Sequence, residues 1–390
     1  MSILSNFRQT LAIASHGLPP LLAIVITETV NVEMTAFTPF GHGEYINFVW
    51  QILQGLVGWV FGWFSDKHWR KNILIGAQLL GVFGGSMLIF FGFNPFVMLL
   101  VGLTFAPLPV SRAALMDAYP AQSMVKIMAI TFFAQWLPWA FYSYLTKIPY
   151  VNVMYFVLCA LLINSLFTYF SFKEDVNLLK TQSKQREDLP KLSSLSSWRV
   201  ILFTFIALGL AELTFFQIAD NLENNNQILQ LWWPSIGFMT FLGNFIAMFY
   251  RSRPSISILS GCYLIGACFC MGAIFNILIG VQIAATAITM ALISYSLIGG
   301  MYLPLSYSVV LNRVSPLHKG AACGALDLVE LAAALGAAII LQPLKLGDGQ
   351  TLVVFMTLYL LAAFFQKYAV YKKVQKYFIE LQLNVRALRC

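Results

Sequence analysis

Gly62-Trp63-Phe64-Ser65-Asp66-Lys67-His68-Trp69-Arg70-Lys71 is a charged and aromatic hinge set between two long apolar stretches. Such a hinge is what a chain needs where it leaves one membrane-spanning helix and re-enters as the next. A charge at mid-bilayer costs about 2.5–3.5 kcal/mol on insertion scales, so charges gather where the chain meets water. Whether this reading holds depends on whether the same alternation recurs along the rest of the chain.

It does recur. Hydrophobic residues make up 59% of the 390 and charged residues 10%, against roughly a quarter charged in a soluble domain. Apolar runs of about 20 residues, each long enough to cross a ~30 Å hydrocarbon core as a helix, repeat about twelve times. They centre near residues 24, 55, 82, 106, 134, 160, 208, 240, 266, 292, 330 and 360. Connections this short leave no room for a separate soluble domain. The expected fold class is an all-α integral membrane protein.

The basic residues orient it. With about twelve spans, every Lys and Arg except Lys147 and Lys345 falls on the side that holds both termini. Positive charge is retained in the cytoplasm, so both termini are expected there. The first span reads as an uncleaved signal-anchor. The net charge of +8 follows from this topology and from contact with anionic headgroups of the bilayer, and implies no nucleic acid. Cys159, Cys262, Cys268, Cys270 and Cys323 lie inside apolar spans, and the Cys268-Phe269-Cys270 pair lacks metal-site spacing, so they read as small apolar fillers. No metal or other cofactor is expected. Trp50, Trp232 and Trp233 lie where an interfacial belt would anchor helices.

The hinge resembles the loop between the second and third helices of major facilitator superfamily transporters, which reads G-x-x-x-D-[RK]-x-G-R-[RK]. Gly62, Asp66, Lys67, Arg70 and Lys71 match, while Trp69 stands where the family has glycine. The resemblance implies two pseudo-symmetric six-helix bundles and a cytoplasmic gate. In that gate the loop aspartate meets the start of helix 11 and the basic residues pair with an acid ending helix 4, matched by Asp117 in Asp117-Ala118-Tyr119-Pro120. It also implies that helices 1, 4, 7 and 10 line a central cavity while 3, 6, 9 and 12 face lipid.

The chain carries its own signs of duplication. A polar stretch, residues 173–199, divides an expected N-terminal bundle (1–172) from a C-terminal one (200–371), with a cytoplasmic tail at 372–390. Leu108-Pro109-Val110-Ser111 recurs as Leu303-Pro304-Leu305-Ser306, and the Gly62-to-Arg70 spacing recurs as Gly243 to Arg251. Ala247 stands where the second half would need its aspartate, so the matching gate is degraded. Spans 3, 6, 9 and 12 have no ionisable residue in their cores.

The acids inside spans are the leading functional candidates. Glu28 sits within span 1 on a polar stripe with Thr27, Asn31 and Thr35. Glu212 lies in span 7, the counterpart of span 1. Asp327 and Glu330 stand at i and i+3 in span 11 among small residues that permit close helix contact. Burial disfavours a carboxylate and suits it to carrying a proton near neutral pH. Arg112, late in span 4, reads either as a bidentate partner for an anionic substrate or as snorkelling and pairing within the gate. Asn31, Arg112, Gln135, Trp139 and Tyr142 are candidate cavity residues; Gln135, Pro138 and Tyr142 share one face of span 5. His16 and His318 read as surface or capping residues, and Pro19, Pro20, Pro107, Pro109 and Pro304 as kinks.

The expectation is a secondary active transporter, not an enzyme. It moves a small polar or charged organic solute by alternating access as a monomer in the plasma membrane (the inner membrane of a bacterium), by proton-coupled symport. One alternative is a proton-coupled antiporter exporting a drug, metabolite or siderophore; span 5 lacks the glycine-rich G-x-x-x-G-P pattern of many drug exporters. Another is a non-transporting receptor on a transporter fold. A G-x-x-x-x-G-K-[ST] phosphate loop is absent from the sequence, which argues against a primary pump.

Overall fold

The computed structural model describes residues 3–17, 55–91, 100, 107–119, 124–141, 145, 148–174, 226–250, 256–278, 284–312, 314, 318–341, 350, 353–354 and 356–364. Among these residues the regular structure is helical. It comprises α1 (Ile3–Ala14) with a 3-10 turn at Ser15–Gly17, α2 (Gly55–Ser65), α3 (Arg70–Phe91), α4 (Pro107–Ala118) and α5 (Met124–Ala140). Then come α6 (Tyr150–Ser171), α7 (Asn226–Met248), α8 (Ile256–Leu278), α9 (Ala284–Leu311) and α10 (Lys319–Leu341), followed by helical residues 356–364. Helices α2 to α6 fall in expected spans 2 to 6, and α7 to α10 in spans 8 to 11. Spans 1 and 7, with Glu28, Asn31 and Glu212, lie outside the described residues, as do Tyr142 and residues 175–199 of the central loop.

Composition explains which faces these helices bury. α3 is 22 residues long and Val151–Ser171 of α6 is 21, so at 1.5 Å per residue each exceeds the ~30 Å of a bilayer core. Buried Gly85 lets α3 lie close to α6; a Cβ there would fall 2.7 Å from a Leu158 methyl. The opposite faces leave Phe90 77%, Phe91 71%, Phe170 74% and, on α8, Leu278 78% exposed. Aromatic and aliphatic surface on this scale fits a hydrocarbon surround better than water. The expectation that spans 3, 6 and 9 face lipid agrees with these surfaces.

Between the halves, α5 packs against α7 and α9, and α4 against α10. Buried Val110, Ala113, Leu115, Phe132, Tyr302, Val309 and Leu326 belong to one apolar core that draws on both halves. Prolines sit inside two of the helices involved, Pro138 in α5 and Pro304 in α9.

The duplicated tetrapeptide folds the same way twice. Ser111 Oγ donates to the Leu108 carbonyl at 2.9 Å, and Ser306 Oγ donates to the Leu303 carbonyl at 2.9 Å. Each serine thus bonds back into its own proline-bearing turn. The two halves share a local device as well as a word of sequence.

One residue departs from its expected place. His16 is fully buried rather than at a surface, with Nε2 3.0 Å from Thr168 Oγ1. The reason is tertiary: α1 lies along α6, whose Thr168 supplies a partner that lies far away in sequence.

Candidate functional site

Two layers of charge join the halves. The outer one is built on the hinge. Asp66 Oδ1 accepts the Gly320 N–H and Oδ2 accepts the Ala321 N–H, both at 2.9 Å. These amides belong to the first turn of α10, where N–H groups have no intrahelical acceptor and the helix dipole favours an anion. Burial pushes the Asp66 carboxyl up from the usual carboxylate range, opposed by Arg70 and by those two amides. Arg70 Nη2 bridges Asp66 at 3.2 Å and Asp117 at 2.9 Å, and Lys319 Nζ reaches Asp117 at 3.4 Å.

Glycine is required here for approach. A Cβ on Gly62 would lie 2.2 Å from the Gly320 carbonyl oxygen, and one on Gly320 would lie 2.3 Å from that of Gly62. Deeper in, a Cβ on Gly324 would meet the Trp59 Cα at 2.4 Å. Helices α2 and α10 therefore touch backbone to backbone, the contact that small residues make possible in lipid.

The gate differs from expectation in its cations. Lys67 and Lys71 do not hold Asp117. Lys67 Nζ lies 3.9 Å above the Trp63 ring, and Lys71 Nζ lies 4.9 Å from the Tyr169 centroid. Arg70 points inward and Lys319, from the other half, completes the pair, because the turn before α3 aims only Arg70 at the seam. Trp69 does not spoil that turn: its carbonyl accepts the Ile73 N–H at 3.3 Å, opening α3, and its ring is left exposed. Sequence reading also missed Glu174, whose Oε1 accepts the Lys71 N–H at 3.1 Å and so caps α3.

The inner layer centres on Arg112, 2% exposed. It neither snorkels nor pairs with Asp117. Nη1 binds Asp327 Oδ1 across the seam, and Nη2 donates to Gln135 Oε1 at 3.0 Å. Its guanidinium carbon lies 4.4 Å from the Phe132 ring centroid and 4.9 Å from that of Tyr307, within reach of cation–π attraction. The Tyr307 hydroxyl contacts Asp327 Oδ1 and, at 3.2 Å, Glu330 Oε2. Asp327 stands eight residues into α10 from Lys319, which places this layer roughly 12 Å deeper than the gate. The structure thus brings together Arg112, Gln135, Asp327 and Glu330 and adds Tyr307. For Trp139 only the helical backbone is described, and Tyr142, Glu28, Asn31 and Glu212 lie outside the described residues.

Among the described residues, the matching seam between α5 and α7 carries rings. Phe133 of α5 packs on Phe241 of α7 with centroids 4.0 Å apart, and Ala247 is buried where an aspartate would stand.

No protein-family model and no curated protein sequence matches the chain. Solved structures do. It aligns with the proton:xylose symporter XylE at TM-score 0.74 and 12% identity, covering 94% of this chain and 96% of that one. It aligns with the human organic anion transporter MFSD10 at 0.71 and 18%, covering 93% and 99%. The chain has the major facilitator superfamily fold. A bacterial homologue of the iron transporter ferroportin, in an outward-facing state, matches at 0.71 and 11% over 95% and 100%. Within the MFS fold the seam described above runs between the two halves.

Proposed function

We propose that the protein is a secondary active transporter that carries a small polar or charged organic solute by alternating access, coupled to protons as a symporter. The observation that carries this reading is the outer layer. A buried aspartate of one half is held by the first amides of a helix of the other half, next to a bridging Arg70 and a cross-seam Lys319–Asp117 pair. These contacts are polar and direct, so they break and reform as the halves rock, which a purely apolar seam does less discretely.

With positive charge inside, this layer lies at the cytoplasmic end and both termini are cytoplasmic. The geometry then supports a state closed to the cytoplasm. Proton coupling is supported by Asp327 and Glu330 deep in the seam, with Glu28 and Glu212 as further candidate carriers from spans 1 and 7. Neighbours of like fold include a proton:xylose symporter and an organic anion transporter, so the fold accommodates sugar and anion cargo alike. A monomer holds both halves and is the functional unit in this reading.

The experiment is solute-induced pH change in proteoliposomes, screening amino acids, organic acids, sugars, nucleosides and cationic drugs. Alkalinisation outside on solute addition supports symport, acidification supports the antiport alternative, and specific binding without flux favours a receptor.

A further inference from the structure

The inner layer has chemistry that the rocking motion alone does not require. Arg112 is fully enclosed, yet its Nε has no hydrogen-bond partner among the described residues. Two aromatic faces and Gln135 hold the guanidinium in place, leaving Asp327 as its counter-ion. The Tyr307 hydroxyl touches two carboxyl groups at once, Asp327 and Glu330.

Among the described residues, the titratable groups meeting here are Arg112 from α4, Tyr307 from α9, and Cys323, Asp327 and Glu330 from α10, with Gln135 of α5 as the neutral partner. A guanidinium presents parallel N–H donors that match a carboxylate. With Nε unpartnered among the described residues, a second carboxylate can take the Nε edge before Asp327 leaves. An anion that displaced Asp327 without compensation would leave a buried unpaired carboxylate, at a large cost. A proton removes that cost.

We propose that Arg112 is the binding point for a carboxylate-bearing organic anion, which takes the place of Asp327 as Asp327 becomes protonated. The Tyr307 hydroxyl, in contact with Asp327 and Glu330, passes its proton to Asp327 and is itself refilled from solution by way of Glu330. The sum is one anion and one proton taken up together. For its transport consequence the inference rests on the symport reading; its binding chemistry is tested separately.

The test is calorimetric titration of the purified full-length protein near neutral pH in two buffers of different ionisation enthalpy, imidazole and Tris. The probes are lactate, succinate and benzoate, with glucose and choline for contrast. At least one carboxylate binds the wild type with uptake of about one proton per anion. Asp327→Asn, which keeps the shape and frees Arg112, binds the same anion at least about tenfold tighter and without proton uptake. Arg112→Lys, which keeps the charge and loses the fork, binds at least about tenfold more weakly.

Carboxylate binding without proton uptake, binding unchanged in Arg112→Lys, or no carboxylate binding to either wild type or Asp327→Asn overturns the proposal. Binding that meets these criteria in a protein that moves no solute in liposomes upholds the proposal and overturns the transporter reading. Solute flux with no carboxylate bound at Arg112 does the reverse.

Discussion

Arg112 and Tyr307 occupy the same station in the two halves. Each directly follows a Leu-Pro-X-Ser tetrapeptide, each serine makes the same bond back to its leucine, and the guanidinium carbon lies 4.9 Å from the tyrosine centroid. A cation and a phenol thus stand face to face at the seam, with Asp327 touching both.

The Arg112–Asp327 pair is deeply buried, so breaking it from one side leaves an unpaired charge. Arg112→Gln or Asp327→Asn alone is expected to destabilise the fold by about 3–5 kcal/mol. The double variant, which removes both charges, recovers most of that loss while transport stays abolished. Thermal unfolding in detergent of the four proteins tests this; additive losses in the double variant contradict it.

Native Cys323, fully buried on α10 one turn past Lys319, reports on the gate. In a variant with Cys159, Cys262, Cys268, Cys270 and Cys390 replaced by serine, Asp66→Ala removes two hydrogen bonds to a charged group. Such bonds are worth roughly 1.5–3 kcal/mol each, so N-ethylmaleimide should modify Cys323 at least about tenfold faster. An unchanged rate would mean that Asp66 does not hold the halves together.

Gly62→Ala forces a Cβ onto the Gly320 carbonyl oxygen at 2.2 Å. The α2–α10 contact must spread, at a cost of about 1–3 kcal/mol by analogy with overpacked cores. Cys323 labelling should rise here too. Gly76→Ala on α3, where a new Cβ meets nothing within 4 Å, should leave labelling unchanged.

Glu174 gives a pH signature. Burial pushes its carboxyl up from the usual range, opposed by the Lys71 and Arg70 amides and their charges. The folded state therefore binds this proton more tightly than the unfolded chain. Its contribution to stability is fully present below the unfolded value of about 4.3 and is lost as pH rises through the raised folded value. Glu174→Gln keeps an acceptor for the Lys71 amide and removes the titration. The stability of wild type relative to Glu174→Gln should fall as pH rises through that window, and a flat difference would contradict the assignment.

Much of the outer layer was legible in the sequence because its parts lie close together: Gly62, Asp66 and Arg70 share one short motif, and Asp117 ends the next apolar span but one. The choice of cations was not. Lys67, Lys71 and Arg70 are equivalent on paper, and only the turn into α3 decides that Arg70 faces the seam. The inner layer was half legible. Charge inside apolar spans marked Arg112, Asp327 and Glu330, but pairing across more than two hundred residues depends on helix packing, so the nearer Asp117 seemed the natural partner for Arg112. Tyr307 escaped notice because tyrosine is unremarked in an apolar span; its position after the second Leu-Pro-X-Ser, matching Arg112 after the first, was the available signal. His16 failed for the same reason as Arg112, its partner Thr168 being distant in sequence.

The most direct measurement is solute-driven proton flux in proteoliposomes for wild type, Asp327→Asn and Tyr307→Phe, beside solute exchange at equal pH on both sides. Tyr307→Phe keeps the ring over Arg112 and deletes only the hydroxyl. The account predicts proton flux on solute addition in wild type, its loss by about tenfold or more in both variants, and retained exchange in Asp327→Asn. Solute flux with no proton movement in wild type, or full proton coupling in Tyr307→Phe, would contradict it.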